Sequence, residues 1–204
     1  FLPGIHHARY GEDLSYIEDY VLGKVADMGN FAAIFVEAIQ GEGGYIVPEK
    51  AWLQGLRELC TRHKILLVID EVQSGMGRTG ELFAHWHDGV VPDVVTLAKA
   101  LGGGFPVGAM LVGAKAAGAM QFGDHGTTFG GNPLAAAVAR VALRKLDSQE
   151  IRANVARQEA ALRAGLAAID EELGLFSEVR GRGLMLGAVL RPAFAGRVGE
   201  VLDL

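Results

Sequence analysis

Cysteine is nearly absent: Cys60 stands alone, so no internal disulfide can form, and this usage suits a reducing, cytoplasmic compartment. Long apolar runs are missing as well. The longest aliphatic stretch covers residues 65–69, far short of the roughly 18 residues that span a bilayer. There is no basic run, and the formal net charge is −5, which argues against nucleic acid or an anionic membrane as partner. The 29 glycines follow no repeat and fall at turns and loops, so collagen-like and linker readings fail. The sequence opens on Phe1 with no charged n-region or signal-like apolar core, and Val201-Leu202-Asp203-Leu204 runs on as if inside a helix. Both ends read as cuts through a longer protein. The 204 residues, half of them hydrophobic, are enough for one sizeable core or for one domain and part of a second.

What is present reads as an α/β chain with a mostly parallel sheet. Leu14, Ile17, Val21 and Val25 recur at spacings of three and four, predicting a helix over about residues 13–27. Residues 31–37 form an apolar strand ending in Glu37, followed by the flexible loop Gln40-Gly41-Glu42-Gly43-Gly44. Pro48 is placed to open the next helix, where Trp52, Leu53, Leu56, Leu59 and Cys60 share one face, making Cys60 core filling rather than a nucleophile. Residues 65–69 form a second strand ended by Asp70, residues 94–97 a third, and residues 107–112 a fourth. Helices of about a dozen residues between strands imply parallel pairing, with ligands at the carboxyl ends of the strands. Glu37, Asp70 and Lys99 all sit at such ends. Past Asn132-Pro133 the texture turns to helix, over residues 134–146 and again over 149–173, where Ile151, Val155, Leu162, Leu166, Ile169 and Leu173 form a stripe. Residues 176–180 and 184–190 read as two strands of a new sheet, split by Gly181-Arg182-Gly183. A domain boundary is expected near residues 133–148.

The chemistry concentrates around Leu97-Ala98-Lys99-Ala100-Leu101-Gly102-Gly103-Gly104. Burial of Lys99 among apolar neighbours would disfavour its ammonium and leave a neutral amine able to attack a carbonyl; the plain alternative is a surface lysine beside a glycine loop. An imine-forming lysine implies a carbonyl substrate or pyridoxal phosphate. Asp70, in Asp70-Glu71-Val72-Gln73, favours the latter, because a carboxylate keeps the pyridine nitrogen protonated so that the ring can accept carbanion electrons. A helix N-cap is the alternative for Asp70, and Glu71 reads as a solvated or ion-paired acid. Thr127-Thr128, with Gly130-Gly131-Asn132 ahead of a helix, offers hydroxyls and backbone donors to a phosphate, or else is an ordinary turn. The triple glycine lacks the spacing of a dinucleotide or nucleoside-triphosphate loop. His85 and His87, beside Asp88, lack a third ligand and read as loop or surface residues, so no metal site is expected.

Three stretches carry a family resemblance. Residues 36–44 (VEAIQGEGG), 69–80 (IDEVQSGMGRTG) and 92–104 (PDVVTLAKALGGG) resemble the signature of the class III pyridoxal-phosphate aminotransferases, in order and spacing, over nearly the whole chain. Residues 125–134 and 174–181 are similar to the acetylornithine/succinylornithine branch, and Ala38 stands where the family usually has proline. The resemblance implies the pyridoxal-phosphate transferase fold type I: residues 1–133 as the carboxyl-terminal part of the large cofactor domain, and 134–204 as an inter-domain helix and the start of a small C-terminal α+β domain. It implies that Lys99 holds the cofactor and moves the substrate proton, Asp70 pairs with the pyridine nitrogen, Val72 packs on the ring and Gln73 bonds the phenolic oxygen. Glu42 would line the substrate pocket. Thr128 would bind the phosphate of a neighbouring subunit's cofactor, making a homodimer part of the site. The family's amino-terminal phosphate loop and ring-stacking aromatic, and its carboxyl-terminal arginine, have no counterpart here, so the 204 residues alone are expected to be inactive.

The expected function is transfer of the terminal amino group of N-acetylornithine, or succinylornithine, to 2-oxoglutarate in arginine metabolism. Within the same family 4-aminobutyrate or ornithine could be the donor, and an aminomutase or decarboxylase could share the fold. A non-catalytic fragment that only dimerises is the reading of another class.

Overall fold

The computed structural model describes residues 4–25, 28–197 and 199. The two ends discussed above, Phe1 and residues 201–204, lie outside them. The elements run α1 (Leu14–Tyr16), a π-helical continuation (Ile17–Val25), β1 (Ala33–Glu37), α2 (Lys50–Arg62), β2 (Leu66–Asp70), β3 (Val94–Leu97), β4 (Ala109–Val112), α3 (Ala114–Ala117), α4 (Pro133–Leu146), α5 (Gln149–Leu173), β5 (Phe176–Arg182) and β6 (Met185–Leu190). Short 3₁₀ turns at Ala84–Asp88 and Lys99–Gly102 complete the part that matters for function.

The first four strands form one sheet in sequence order. β1, β2 and β3 are parallel, with Glu37 opposite Asp70 and Asp70 opposite Thr96; β4 closes the edge antiparallel, Leu97 facing Ala109. Three chain segments therefore leave the sheet at the same end, and they carry residues 40–46, 71–80 and 98–104. One expectation is corrected here. Only the β1–β2 connection contains an α-helix of a dozen residues; the β2–β3 connection is a series of turns with the 3₁₀ segment Ala84–Asp88. Glycines at 75, 77 and 80 break the helical pattern there, Gly77 and Gly80 at φ +87° and +96°.

Helix α2 buries Leu53, Leu56, Leu59 and Cys60 against Ile39, Leu67 and Ile69. Burial pushes the Cys60 thiol up to about 11, consistent with a packing role. Pro48 does not open this helix: the chain stays extended through Glu49 (ψ 140°), so the proline precedes the cap. Trp52 is half-buried and donates its Nε1–H to the Glu12 carbonyl at 2.7 Å. Asp93, at the entry to β3, accepts the Leu67 N–H at 2.8 Å and pairs with Arg57 at 2.7 Å. Burial alone would raise that carboxyl; the Leu67 bond, Arg57 and Lys115 outweigh it and hold it below the usual carboxylate range.

The helices that follow are capped by side chains the sequence supplies. Asn132 Oδ1 accepts the Ala135 N–H ahead of α4, and Ser148 Oγ accepts the Ile151 N–H ahead of α5. Of the α5 stripe only Val155 is fully buried, while Leu162, Ile169 and Leu173 remain exposed. β5 and β6 form an antiparallel hairpin turning through Gly183 and Leu184, so Gly181 and Arg182 belong to β5 rather than splitting the strands. The hairpin returns to the first sheet: Met185 joins the core beside α2, the Leu184 N–H bonds the Arg78 carbonyl at 2.9 Å, and Arg180 Nε donates to the Gly44 carbonyl at 2.6 Å.

Candidate active site

A cavity of about 350 Å³ opens where these returning segments meet the carboxyl ends of the strands. Its walls include Glu42, Tyr45, Val72, Gln73, Arg78 and Lys99. Four of the residues singled out from the sequence, Glu42, Val72, Gln73 and Lys99, therefore share one space, although they come from three separate loops.

Lys99 begins the 3₁₀ turn after β3 with its backbone at φ 45°, the left-handed region that costs an L-residue about 1–3 kcal/mol. Gly103 and Gly104, at φ 55° and 108°, carry the chain onward where a side chain would be strained. The amine is exposed to the open cavity rather than buried among apolar neighbours. The left-handed backbone at the strand end takes the lysine out of the hydrophobic layer that holds Val95 and Leu97.

Asp70 ends β2, and its Oδ1 accepts the Val72 N–H at 2.8 Å. No helix follows, so it is not an N-cap; the bond fixes the turn that presents Val72 and Gln73 to the cavity. Asp70 itself is exposed and does not line the space. Gln73 Nε2 donates to Glu42 Oε1 at 2.8 Å, joining the first and second loops across the cavity. Gly41 leaves room for this arrangement: a Cβ at that position would lie 2.6 Å from Gln73 Oε1 and the amide would have to move.

Glu71, expected as a solvated or ion-paired acid, is paired with His85 and shielded from solvent. It is fully buried, accepting from Ser74 Oγ at 2.8 Å, the Ala84 N–H at 3.0 Å and the His85 N–H at 2.9 Å, and it pairs with His85 Nδ1 at 2.9 Å. Four partners replace the water it leaves. His85, expected on a loop or at the surface, lies in the connection between β2 and β3 but is buried, as is Asp88; burial pushes the Asp88 carboxyl up against the pull of Arg182. His87 is half-buried, its ring facing Thr79; burial first, then Arg182, holds its pKa below the usual value. Among the described residues no group of three or more His, Cys, Asp or Glu could hold a metal ion.

Thr128 stands apart, on an exposed loop that does not contribute to the cavity. Tyr45, Arg78, Ala100, Leu184 and Met185 line the cavity and were not expected there. Tyr45 carries a detectable sign only in three dimensions, a left-handed backbone (φ 55°) beside the turn closed by the Gly41 carbonyl. Arg78 had a signal in sequence, an arginine framed by glycines at 77 and 80.

Comparison with known proteins gives a consistent result. The family model described as aminotransferase class-III matches residues 6–196. The acetylornithine aminotransferase of Xanthomonas axonopodis pv. citri (strain 306) is 66% identical over 203 residues, which cover 100% of this chain and 48% of that protein. The succinylornithine transaminase of Citrobacter koseri is 50% identical over 195 residues, covering 96% and 46% respectively. The crystal structure of N-acetylornithine aminotransferase from Stenotrophomonas maltophilia K279a superposes with a TM-score of 0.80 at 61% identity, over 91% of this chain and 48% of that one. The chain thus spans about half the length of the curated relatives it matches.

Proposed function

This chain belongs to the class III aminotransferase family, and we propose that the whole protein moves the terminal amino group of N-acetylornithine, or of succinylornithine, to 2-oxoglutarate with pyridoxal 5′-phosphate as its cofactor. The observation that carries the reading is the strained Lys99 at the end of β3, its amine opening on a cavity shared with Glu42 and Gln73. The donor set fits the group: an amine, a strand-end carboxylate one strand away, and a cavity-lining amide lying over a glycine a Cβ would fill.

Lys99 would hold the cofactor through Nζ, Asp70 would pair with the pyridine nitrogen, Val72 would pack on the ring, and Gln73 would bond the phenolic oxygen. The bound group supplies an electron sink for the pair left on carbon when a proton departs. Lys99 Nζ is the base and acid that lifts that proton and returns it. Glu42, oriented by the Gln73 amide, lines the substrate side of the cavity. Across the full cycle the donor leaves as an aldehyde and 2-oxoglutarate leaves as glutamate, so one amino group and two electrons change hands.

Thr128 is read as a phosphate contact to the cofactor of a second subunit in a homodimer. Its place on an exposed loop, flanked by the solvent-facing rings of Phe122 and Phe129, supports this. Residues 1–133 would belong to the large cofactor domain and 134–204 to the inter-domain helix and small domain; the setting would be cytoplasmic, a compartment that the lone, free Cys60 suits. Among the described residues no helix is long and apolar enough to cross a membrane.

The test is an assay of the full-length protein with 2-oxoglutarate, following glutamate, against N-acetylornithine, succinylornithine, ornithine and 4-aminobutyrate. Preference for the acylated ornithines is the expected result. Preference for 4-aminobutyrate or free ornithine would move the protein to another branch of the family.

A further inference from the structure

The proposed chemistry leaves one charged wall of the cavity unused. Arg78 lines the same space as Lys99, Glu42 and Tyr45, and its side chain is solvent-accessible. Among the described residues no carboxylate forms an ion pair with it, whereas Arg57, Arg163 and Arg191 are paired with Asp93, Glu159 and Asp170. Glu42, the acid in the same cavity, already accepts the Gln73 amide.

The backbone that bears this arginine is fixed from both sides. The Arg78 carbonyl accepts the Leu184 N–H at 2.9 Å, so the β5–β6 hairpin holds it in place. Gly183, at φ 60°, permits that approach; a Cβ there would lie 2.7 Å from the Arg78 carbonyl oxygen and 2.6 Å from Thr79 Cα. Thr79 is buried and bonded to His87 at 3.2 Å. A guanidinium on a fixed backbone, lining the same cavity as Lys99 and with no acid paired to it among the described residues, favours an anionic guest. Its planar fork suits two carboxylate oxygens at once.

We propose that Arg78 is a specificity-determining residue that binds a carboxylate of the substrate. The inference rests on the aminotransferase reading above, and the carboxylate could belong to the amino donor or be the distal one of the 2-oxo acid acceptor. Both sources present the same chemistry to the arginine, and the experiment separates them.

The full-length protein is compared with Arg78→Gln and Arg78→Lys on two pairs of substrates. The donors are N-acetylornithine and N-acetylputrescine, which lacks the carboxylate; the acceptors are 2-oxoglutarate and pyruvate, which lacks the distal one. Loss of a charge-assisted bidentate contact should lower kcat/KM for the recognised substrate about 10- to 100-fold, mainly through KM, and leave its truncated counterpart within about twofold. A fall confined to N-acetylornithine assigns the donor carboxylate, and one confined to 2-oxoglutarate assigns the acceptor. Arg78→Lys should recover part of the loss, since charge survives without the fork. Cofactor absorbance and borohydride trapping on Lys99 should be unchanged in both variants. Equal losses on all four substrates, no loss on any, or release of pyridoxal phosphate from the variants would each overturn the proposal; the last would show that the arginine serves the cofactor phosphate. If the unmodified protein transaminates neither donor, the aminotransferase reading fails and takes this inference with it.

Discussion

At Lys99 the amine proposed to hold the cofactor and a strained backbone coincide, and the two can be separated by substitution. Lys99→Ala removes the amine but leaves another L-residue at φ 45°, so in the full-length protein it should abolish the cofactor's visible absorbance and borohydride trapping while the fold persists. Trapping on Lys115 instead would refute the assignment. Lys99→Gly should also be inactive, yet more stable than Lys99→Ala by about 1 kcal/mol in urea unfolding, because glycine adopts this region freely. Equal stabilities would show that the strain is not real. Asp70→Asn tests the second role. The amide still accepts the Val72 N–H that Asp70 Oδ1 accepts at 2.8 Å, so the turn should survive. The protonated ring nitrogen loses its counter-charge, and single-turnover transfer of the amino group to the cofactor should slow by at least about a hundredfold. Near-normal transfer would sink the electron-sink role.

Among the elements, the β2–β3 region depends on a single carboxylate. Asp93 joins α2 through Arg57, β2 through the Leu67 N–H and the start of α3 through Lys115. Its pKa is held below the ordinary carboxylate value despite burial, so its contribution to stability is complete above the unfolded value of about 3.9 and disappears as pH falls through the lower folded value. Asp93→Asn should therefore cost about 2 kcal/mol at pH 7 and flatten the loss of stability below about pH 4; an unchanged acid limb in urea titrations would show that other carboxylates govern it. The expected strands match β1 to β4 to within two residues at each end, since apolar runs ended by Glu37 and Asp70 are visible in sequence, and α5 matches at both ends because Ser148 and Gly174 mark its caps. That Glu71 is ion-paired was one of the two expected outcomes, but its burial and partners were not legible: its donors at Ala84 and His85 lie 13 and 14 residues away, beyond any local period. The π-helical widening after Tyr16, and a β2–β3 connection made of turns, likewise leave no mark in hydrophobic spacing.

For the molecule as a whole, the exposed apolar side chains matter most. Phe122 and Phe129 face solvent on either side of Thr128, and Met110 and Leu111 of β4 are half-exposed. If that face meets a second copy, Phe129→Ser in the full-length protein should raise the dimer dissociation constant at least about tenfold by sedimentation. It should also lower retention of pyridoxal phosphate at protein concentrations where the dimer dissociates; a monomer with full cofactor occupancy would contradict the role given to Thr128. The cavity itself is assembled from distant parts of the chain, Glu42 and Tyr45 on one side and Leu184 and Met185 on the other, with Arg180 bonded to Gly44 across 136 residues. During synthesis, at about 5–20 residues per second, the first wall waits roughly 7–30 s for the second to leave the ribosome. A nascent chain halted before Gly183 already contains Lys99 and Asp70, but it lacks the hairpin turn that closes over Arg78. The second wall of this cavity therefore arrives late in the life of each new polypeptide, well after Lys99 has been made.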